Sequence, residues 1–210
     1  MIDKLKELLN KGEYLPIMET FYSIQGEGYN TGTPSFFIRI GGCDMGCKWC
    51  DVKESWNDKI HPLTDVNNVL NEALKVKSRK IVVTGGEPMK YNLDFLCQLL
   101  KNNGFEIHLE TSGVFDISGE WDWICFSPKI KDEGKNVFYE KAHELKIIIE
   151  NESDFERLKF YEEKINKNCR LSLQPEWSKI NNMLPKIIDF VKENPVWNVS
   201  LQAHKYMRIP

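Results

Sequence analysis

"KIVVTGGEP", residues 80–88, is a β-branched run that stops abruptly on two glycines, a carboxylate and a proline. An apolar run of this length, bounded by turn residues, suits a strand buried on both faces, as strands of parallel sheets are. The same bias recurs in PSFFIRIGG (34–42), FEIHLETSG (105–113), DWICFSPK (122–129), HELKIII (143–149), CRLSLQPE (169–176) and VWNVSLQAHKY (196–206). Helical patterns separate most of them. Asn92 caps a predicted helix with Leu93, Leu96 and Leu100 on one face, ended by Asn103 and Gly104. A helix is expected from about Thr64 or Asp65, and another from Ile180 to Glu193. Ser153 and Glu156, three residues later, have the spacing of a capping box that opens the next helix. Strands that alternate with helices predict an α/β fold, a partial, open βα barrel of about six mainly parallel strands. Residues 1–210 are expected to form a single domain, with no long linker and no repeat.

Composition narrows the function classes. The 210 residues are 41% hydrophobic and 11% aromatic, as in ordinary soluble domains, and the net charge of −3 gives no basic surplus for nucleic acid. No apolar run reaches the ~18 residues of a membrane span, and the charged start lacks the apolar core of a secretory signal. A cytoplasmic protein that binds neither nucleic acid nor membrane is the expectation. In that compartment a tight group of cysteines points to metal or redox chemistry rather than to disulfides. Cys97, Cys125 and Cys169 are scattered and read as small buried hydrophobes.

The unusual polar residues collect where the predicted strands end: Cys43, then Thr84 to Glu87, Glu110, Ser127 to Lys129, Gln174 and Pro175, and His204. In a βα barrel those ends share one rim, where ligands bind. The first of them opens "GGCDMGCKWCD" (41–51), with Cys43, Cys47 and Cys50 in the pattern C-x3-C-x2-C. Three readings compete: a structural zinc site that needs a fourth ligand, for which His61 is nearest; a disulfide plus an odd thiol; and an iron–sulfur cluster with one iron left open for an exogenous ligand. Gly41, Gly42 and Gly46 would let the backbone wrap closely around a bulky cluster, and Trp49 would offer an aromatic face to a purine.

With an aromatic residue before its last cysteine, this loop resembles the signature of radical S-adenosylmethionine (SAM) enzymes. The later TGGEP supports the likeness. The whole segment "FYSIQGEGYNTGTPSFFIRIGGCDMGCKWCD" (21–51), with Ser55-Trp56, LETSG, FSPK, LSLQPEW and SLQAHKYMRIP, is similar to the 7-carboxy-7-deazaguanine synthase family from about Phe21 to Pro210. The resemblance implies conversion of 6-carboxy-5,6,7,8-tetrahydropterin to 7-carboxy-7-deazaguanine with loss of ammonia, a queuosine-precursor reaction. It is driven by a [4Fe-4S] cluster that cleaves SAM.

Carried over by motif, Cys43, Cys47 and Cys50 would ligate the cluster. The resemblance places Trp49, Cys50, Asp51, Gly86, Glu87, Ser127, Pro128, Lys129, Gln174, Pro175, Glu176 and Trp177 against SAM. It assigns Ile24, Gln25, Gly26, Glu27, Arg39, Thr84, Glu110, His204 and Pro210 to the substrate. Arg39 suits a substrate carboxylate, because a planar guanidinium binds one bidentately. Glu110 would pair with the pterin's guanidine-like edge through two parallel hydrogen bonds. The α-carboxylate of Pro210 is expected to reach into the pocket. Family members carry Thr or Ser two positions after the last cluster cysteine as a Mg2+ ligand. Here Val52 stands there without a side-chain oxygen. Mg2+ would then depend on a backbone carbonyl, Asp51, water and substrate, or be dispensable, and a weaker Mg2+ dependence is expected. The resemblance also implies a homodimer and a low-potential electron donor such as flavodoxin or ferredoxin. Two alternatives stay open: a radical SAM activase for a glycyl-radical partner, and a zinc-stabilised binding module.

Overall fold

The computed structural model describes residues 7–129 and 133–210. Nine strands form one open sheet in the order β3-β1-β2-β4-β5-β6-β7-β8-β9. They are β1 (Tyr14–Ile24), β2 (Pro34–Ile40), β3 (Leu63–Asp65), β4 (Lys80–Gly85), β5 (Glu106–Thr111), β6 (Trp123–Phe126), β7 (Glu144–Ile149), β8 (Arg170–Pro175) and β9 (Trp197–Val199). From β2 through β9 every neighbouring pair is parallel. The expected partial α/β barrel is therefore present, with a larger sheet than the six or so strands predicted. The surplus lies mainly at the start, where β1 pairs antiparallel with both β2 and β3.

Helices cover the outer face: α1 (Val66–Ala73), α2 (Asp94–Asn102), α3 (Asn136–Lys141), α4 (Leu158–Lys164) and α5 (Ile180–Glu193), with α6 (Ala203–Met207) after the last strand. Asp65 caps α1 by accepting from the Asn67 N–H at 2.8 Å, and Asn92 Oδ1 accepts from the Asp94 N–H at 2.9 Å at the start of α2. Gly104, at φ +75°, closes α2. The expected Ser153–Glu156 capping box is formed instead by Asn151 and Asp154, and it opens the short 3-10 stretch Glu152–Arg157 that leads into α4. VWNVSLQAHKY is likewise not one strand. It holds pairing only over Trp197–Val199, then turns, and His204 lies in α6.

Period-two alternation separates the two faces of the strands. Ile38, Ile40, Ile81, Val83, Ile107, Leu109, Leu145, Ile147, Leu171 and Leu173 belong to the apolar core together with residues of the helices. The alternate set, Phe37, Arg39, Val82, Thr84, Glu110, Lys146, Ile148 and Gln174, lines a cavity inside the curve of the sheet. Runs that look uniformly buried in sequence thus carry an apolar outer face and a chemically varied inner one.

Candidate active site

The cavity, of ≈ 290 Å3, opens at the carboxyl ends of the parallel strands. Every site residue expected from the sequence lines it except Pro128, which borders a separate small pocket under Trp49. The neighbours of Pro128, Ser127 and Lys129, are on the cavity wall.

The cysteine loop is held open by backbone bonds rather than by a packed core. Gly42 N–H donates to Ser55 O at 2.6 Å, Cys43 N–H to Trp56 O at 3.1 Å, and Cys50 N–H to Cys47 O at 3.1 Å. The strand end at 85–87 then straps the loop from the other side: Gly86 N–H reaches Ile40 O and Glu87 N–H reaches Gly42 O, both at 2.8 Å. A Cβ at Gly86 would stand 2.3 Å from Gly42 O, so only glycine allows this approach.

No disulfide joins the cysteines, and Cys43, Cys47 and Cys50 are each partly exposed to the same cavity. Among the described residues no three Cys, His, Asp or Glu side chains gather closely enough to hold a single ion. His61, the fourth ligand a zinc site would need, bonds Glu54 O through Nε2 at 2.9 Å. Burial, followed by the nearby Glu87 carboxylate, pushes the Cys43 thiol above its ordinary value, so a neighbouring cation is what favours its thiolate. Three thiols around one opening fit the corners of a multi-iron cluster better than a closed mononuclear site. Beside them the Lys129 ammonium lies over the Trp49 ring at 5.3 Å. The Glu87 carboxylate accepts from Met89 N–H, from Thr111 Oγ1, and from both the N–H and Oγ of Ser112. These bonds make it a tie between the ends of β4 and β5. Glu176 similarly accepts from the N–H and Oγ of Ser178, which shapes the turn carrying Trp177.

The opposite half of the cavity is built by β1, β2, β4, β5, β7 and α6. Arg39 and Thr84 sit side by side in register. The Arg39 guanidinium bonds Glu19 through Nε at 2.7 Å and lies 5.6 Å from the Phe21 ring centre. Phe21 in turn stacks on Phe37 at 4.9 Å. Gln25 Nε2 donates to Glu110 at 3.2 Å, and Gln202 Nε2 donates to Glu27 at 2.8 Å. Ala203 N–H donates to Gly26 O at 2.8 Å, and a Cβ at Gly26 would stand 2.3 Å from His204 Nδ1. The SIQG turn is thereby clamped under α6. Ser23 Oγ donates to Pro210 O at 3.0 Å, which brings Pro210 to the cavity.

Between these elements stands Lys146, a residue the sequence reading left without a role. Its Nζ bonds Glu27 at 2.6 Å and Glu110 at 3.1 Å, with a side chain only 5% exposed. Burial alone would raise the Glu27 pKa, but the Lys146 charge and hydrogen bonds from Lys146 and Gln202 outweigh it and hold Glu27 at about 2. The signal was available: a lysine inside a buried parallel strand, HELKIII, needs a carboxylate partner. Thr111, Ser112, Gln202 and Lys205 also join the wall unpredicted.

Oxygens near Val52 that could hold Mg2+ already have partners. Val52 O already accepts from Ser55 N–H at 3.1 Å and Ser55 Oγ at 2.6 Å. Asp51 Oδ2 is held by Lys205 Nζ at 2.8 Å and Gln202 Nε2 at 3.1 Å. One oxygen of the carboxylate a divalent cation would use is thus already engaged by an ammonium.

Comparison with known proteins agrees with this geometry. Residues 37–124 match the family model described as the Radical SAM superfamily. The 7-carboxy-7-deazaguanine synthase of Flavobacterium psychrophilum is 53% identical over 202 residues, covering 96% of each chain. That of Synechocystis sp. is 43% identical across 92% of this chain and 93% of its own. The crystal structure of QueE from Escherichia coli superposes with a TM-score of 0.81 at 29% identity, over 94% of this chain and 98% of that one.

Proposed function

We propose, from the premise that the chain belongs to the 7-carboxy-7-deazaguanine synthase family of radical SAM enzymes, that its single domain converts 6-carboxytetrahydropterin to 7-carboxy-7-deazaguanine with loss of ammonia. One observation carries the reading: a half-cavity of three thiols faces, across a single opening, a half-cavity of Arg39, Glu27, Glu110 and His204. When bound, the [4Fe-4S] cluster and SAM supply the hydrogen abstraction that starts the reaction.

The chain's own residues bind and orient. Cys43, Cys47 and Cys50 would hold the cluster. Gly86, Ser127, Lys129 and Gln174 to Trp177 line the SAM side, beside Trp49. On the other side Arg39, already fixed by Glu19 and the Phe21 ring, takes the substrate carboxylate through its remaining N–H groups. Glu110 accepts from the amino and ring N–H of the pterin, and Thr84, Gln25, Gly26, Ile24 and His204 frame the rings. Phe21, Phe37, Val82 and Ile148 make an apolar wall that keeps water from the reacting carbon. A glycyl-radical activase would need the thiol half alone and would leave Glu27, Glu110 and His204 without work.

The reading includes a homodimer in the cytosol supplied by a low-potential donor such as flavodoxin or ferredoxin. Among the described residues no helix is long and apolar enough to cross a membrane. With Val52 offering no side-chain oxygen, the reading includes a Mg2+ dependence weaker than that of relatives with Thr or Ser there. The test is anaerobic turnover of reconstituted protein with dithionite, SAM and the pterin, followed by mass spectrometry. Formation of 7-carboxy-7-deazaguanine, abolished by Cys47→Ala, is expected. SAM cleavage with the pterin left intact would refute the substrate, and no SAM cleavage by a fully loaded cluster would refute the reaction class.

A further inference from the structure

Strand β7 alternates in an unusual way. Its outward residues Leu145, Ile147 and Ile149 are core, whereas two inward ones, Glu144 and Lys146, are charged and 2% and 4% exposed. A charge so placed is costly unless it is paired, and each partner here is particular. Glu144 accepts from Tyr29 N–H at 3.1 Å and from Ser172 Oγ at 2.9 Å, and so anchors the loop after the SIQG turn. Lys146 lies one step nearer the rim and bonds both carboxylates of the substrate half.

Those bonds form a continuous chain. Gln202 Nε2 holds one oxygen of Glu27 and Lys146 Nζ holds the other. Lys146 Nζ then holds one oxygen of Glu110, and Gln25 Nε2 holds the second. Among the described residues Lys146 is therefore the one cation that bonds both carboxylates, and its bonds set the orientation of each. The outer members, Gln25 and Gln202, belong to the two segments that close the pocket. Without the ammonium, Glu27 and Glu110 lose the cation that bonds both, and the link between Gln202 and Gln25 is broken. A Glu110 carboxylate free to turn no longer holds both oxygens towards an edge made of two N–H donors.

We propose that Lys146 is the positioning residue for pterin recognition: its ammonium holds one oxygen of Glu27 and one of Glu110, aiming the pair so that Glu110 presents both oxygens to the amino-imino edge of the substrate. The inference rests on the reaction read above. It adds a residue without which the substrate half loses affinity while the SAM half still works.

Two readouts separate positioning from mere stability. The first is binding of 7-carboxy-7-deazaguanine, which keeps the same amino-imino edge, measured by calorimetry on the reconstituted holoenzyme without reductant. The second is pterin KM and kcat beside 5′-deoxyadenosine formation without pterin. Lys146→Met should weaken product binding and raise pterin KM roughly 10- to 100-fold, with uncoupled SAM cleavage within about twofold of wild type. Lys146→Arg, which keeps the charge, should recover part of that affinity. If Lys146→Met does not yield folded holoenzyme, Lys146→Gln takes its place under the same criteria. Unchanged product affinity and KM would overturn the proposal, as would SAM cleavage falling in parallel with pterin turnover, or equal losses in the charged and neutral variants. Wild-type enzyme that is loaded and cleaves SAM but leaves the pterin intact would instead refute the reaction itself.

Discussion

Gly86→Ala should separate the strap from the cysteine loop, and its cost can be worked from the contacts. The added Cβ would stand 2.3 Å from Gly42 O, 2.7 Å from Gly42 C and 3.1 Å from Cys43 Cβ. Two of these atoms are backbone, so no side chain can swing away. Relief requires the loop and strand end to part by about 1 Å to reach ordinary contact distance. That movement breaks or badly stretches the bonds from Gly86 to Ile40 and from Glu87 to Gly42, both 2.8 Å. At roughly 1 kcal/mol for each bond, plus part of the penalty for buried unpaired groups, the loss is about 3 kcal/mol. In a chain of this size that corresponds to a Tm lower by about 6–12 °C. The assay is thermal unfolding of the metal-free protein, together with iron and sulfide content after anaerobic reconstitution, which should fall because Cys43 is displaced. Gly46→Ala is the control: Gly46 has φ +59° but nothing within 4 Å of an added Cβ, so it costs only ~1–2 kcal/mol of backbone strain. If Gly86→Ala melts within about 2 °C of wild type and holds full iron, the close approach does not matter and the reasoning fails.

Gly26→Ala should push the His204 ring and Cβ aside, with contacts of 2.3 and 2.6 Å, and abolish pterin turnover while uncoupled SAM cleavage persists; retained turnover would show that α6 can shift freely. Glu87→Gln places an amide donor among donors already aimed at the carboxylate, and should lower urea stability by about 2–3 kcal/mol; an unchanged midpoint would refute the tie between β4 and β5. Glu27 has a folded pKa of about 2 against an ordinary 4.5, so the stability it contributes is present above about pH 4.5 and is lost as pH falls towards 2. Glu27→Gln should therefore flatten the decline in urea midpoint across that window, and parallel declines in variant and wild type would refute the assignment.

The barrel was legible because parallel strands advertise themselves: KIVVTG and ELKIII have few other uses in a soluble chain. Strand β1 was not. YLPIMETFYSI contains Pro16 and Glu19, and its pairing with β2 shifts register between Ile17 and Glu19, so no clean alternation marks it. The cysteine loop and strand-end motifs could be read at once, because their geometry depends on short local spacing. Lys146 shows in HELKIII only as a buried lysine that needs a partner, and its role stays hidden because Glu27 and Glu110 lie 119 and 36 residues away in the chain. Helix α6 has five residues and no side-chain cap, so HKY read as an extension of the strand before it. The Lys205–Asp51 pair was equally hidden, since it joins a helix to a loop only in the folded chain.

The clamp between the SIQG turn and α6 also bears on the order of assembly. Gln202 and Glu27 lie 175 residues apart, and closing a flexible loop of that length costs on the order of 4–5 kcal/mol of chain entropy. The hydrogen bonds at the clamp cannot meet that cost alone, so it forms only after the intervening strands have brought its two sides together. The strap of the thiol loop joins Ile40 to Gly86, a shorter loop whose closure costs about 1 kcal/mol less. Folding should therefore complete the metal half before the substrate half. Native-state hydrogen exchange should find the amides of Glu27 and Ala203 opening at lower free energy than those of β4.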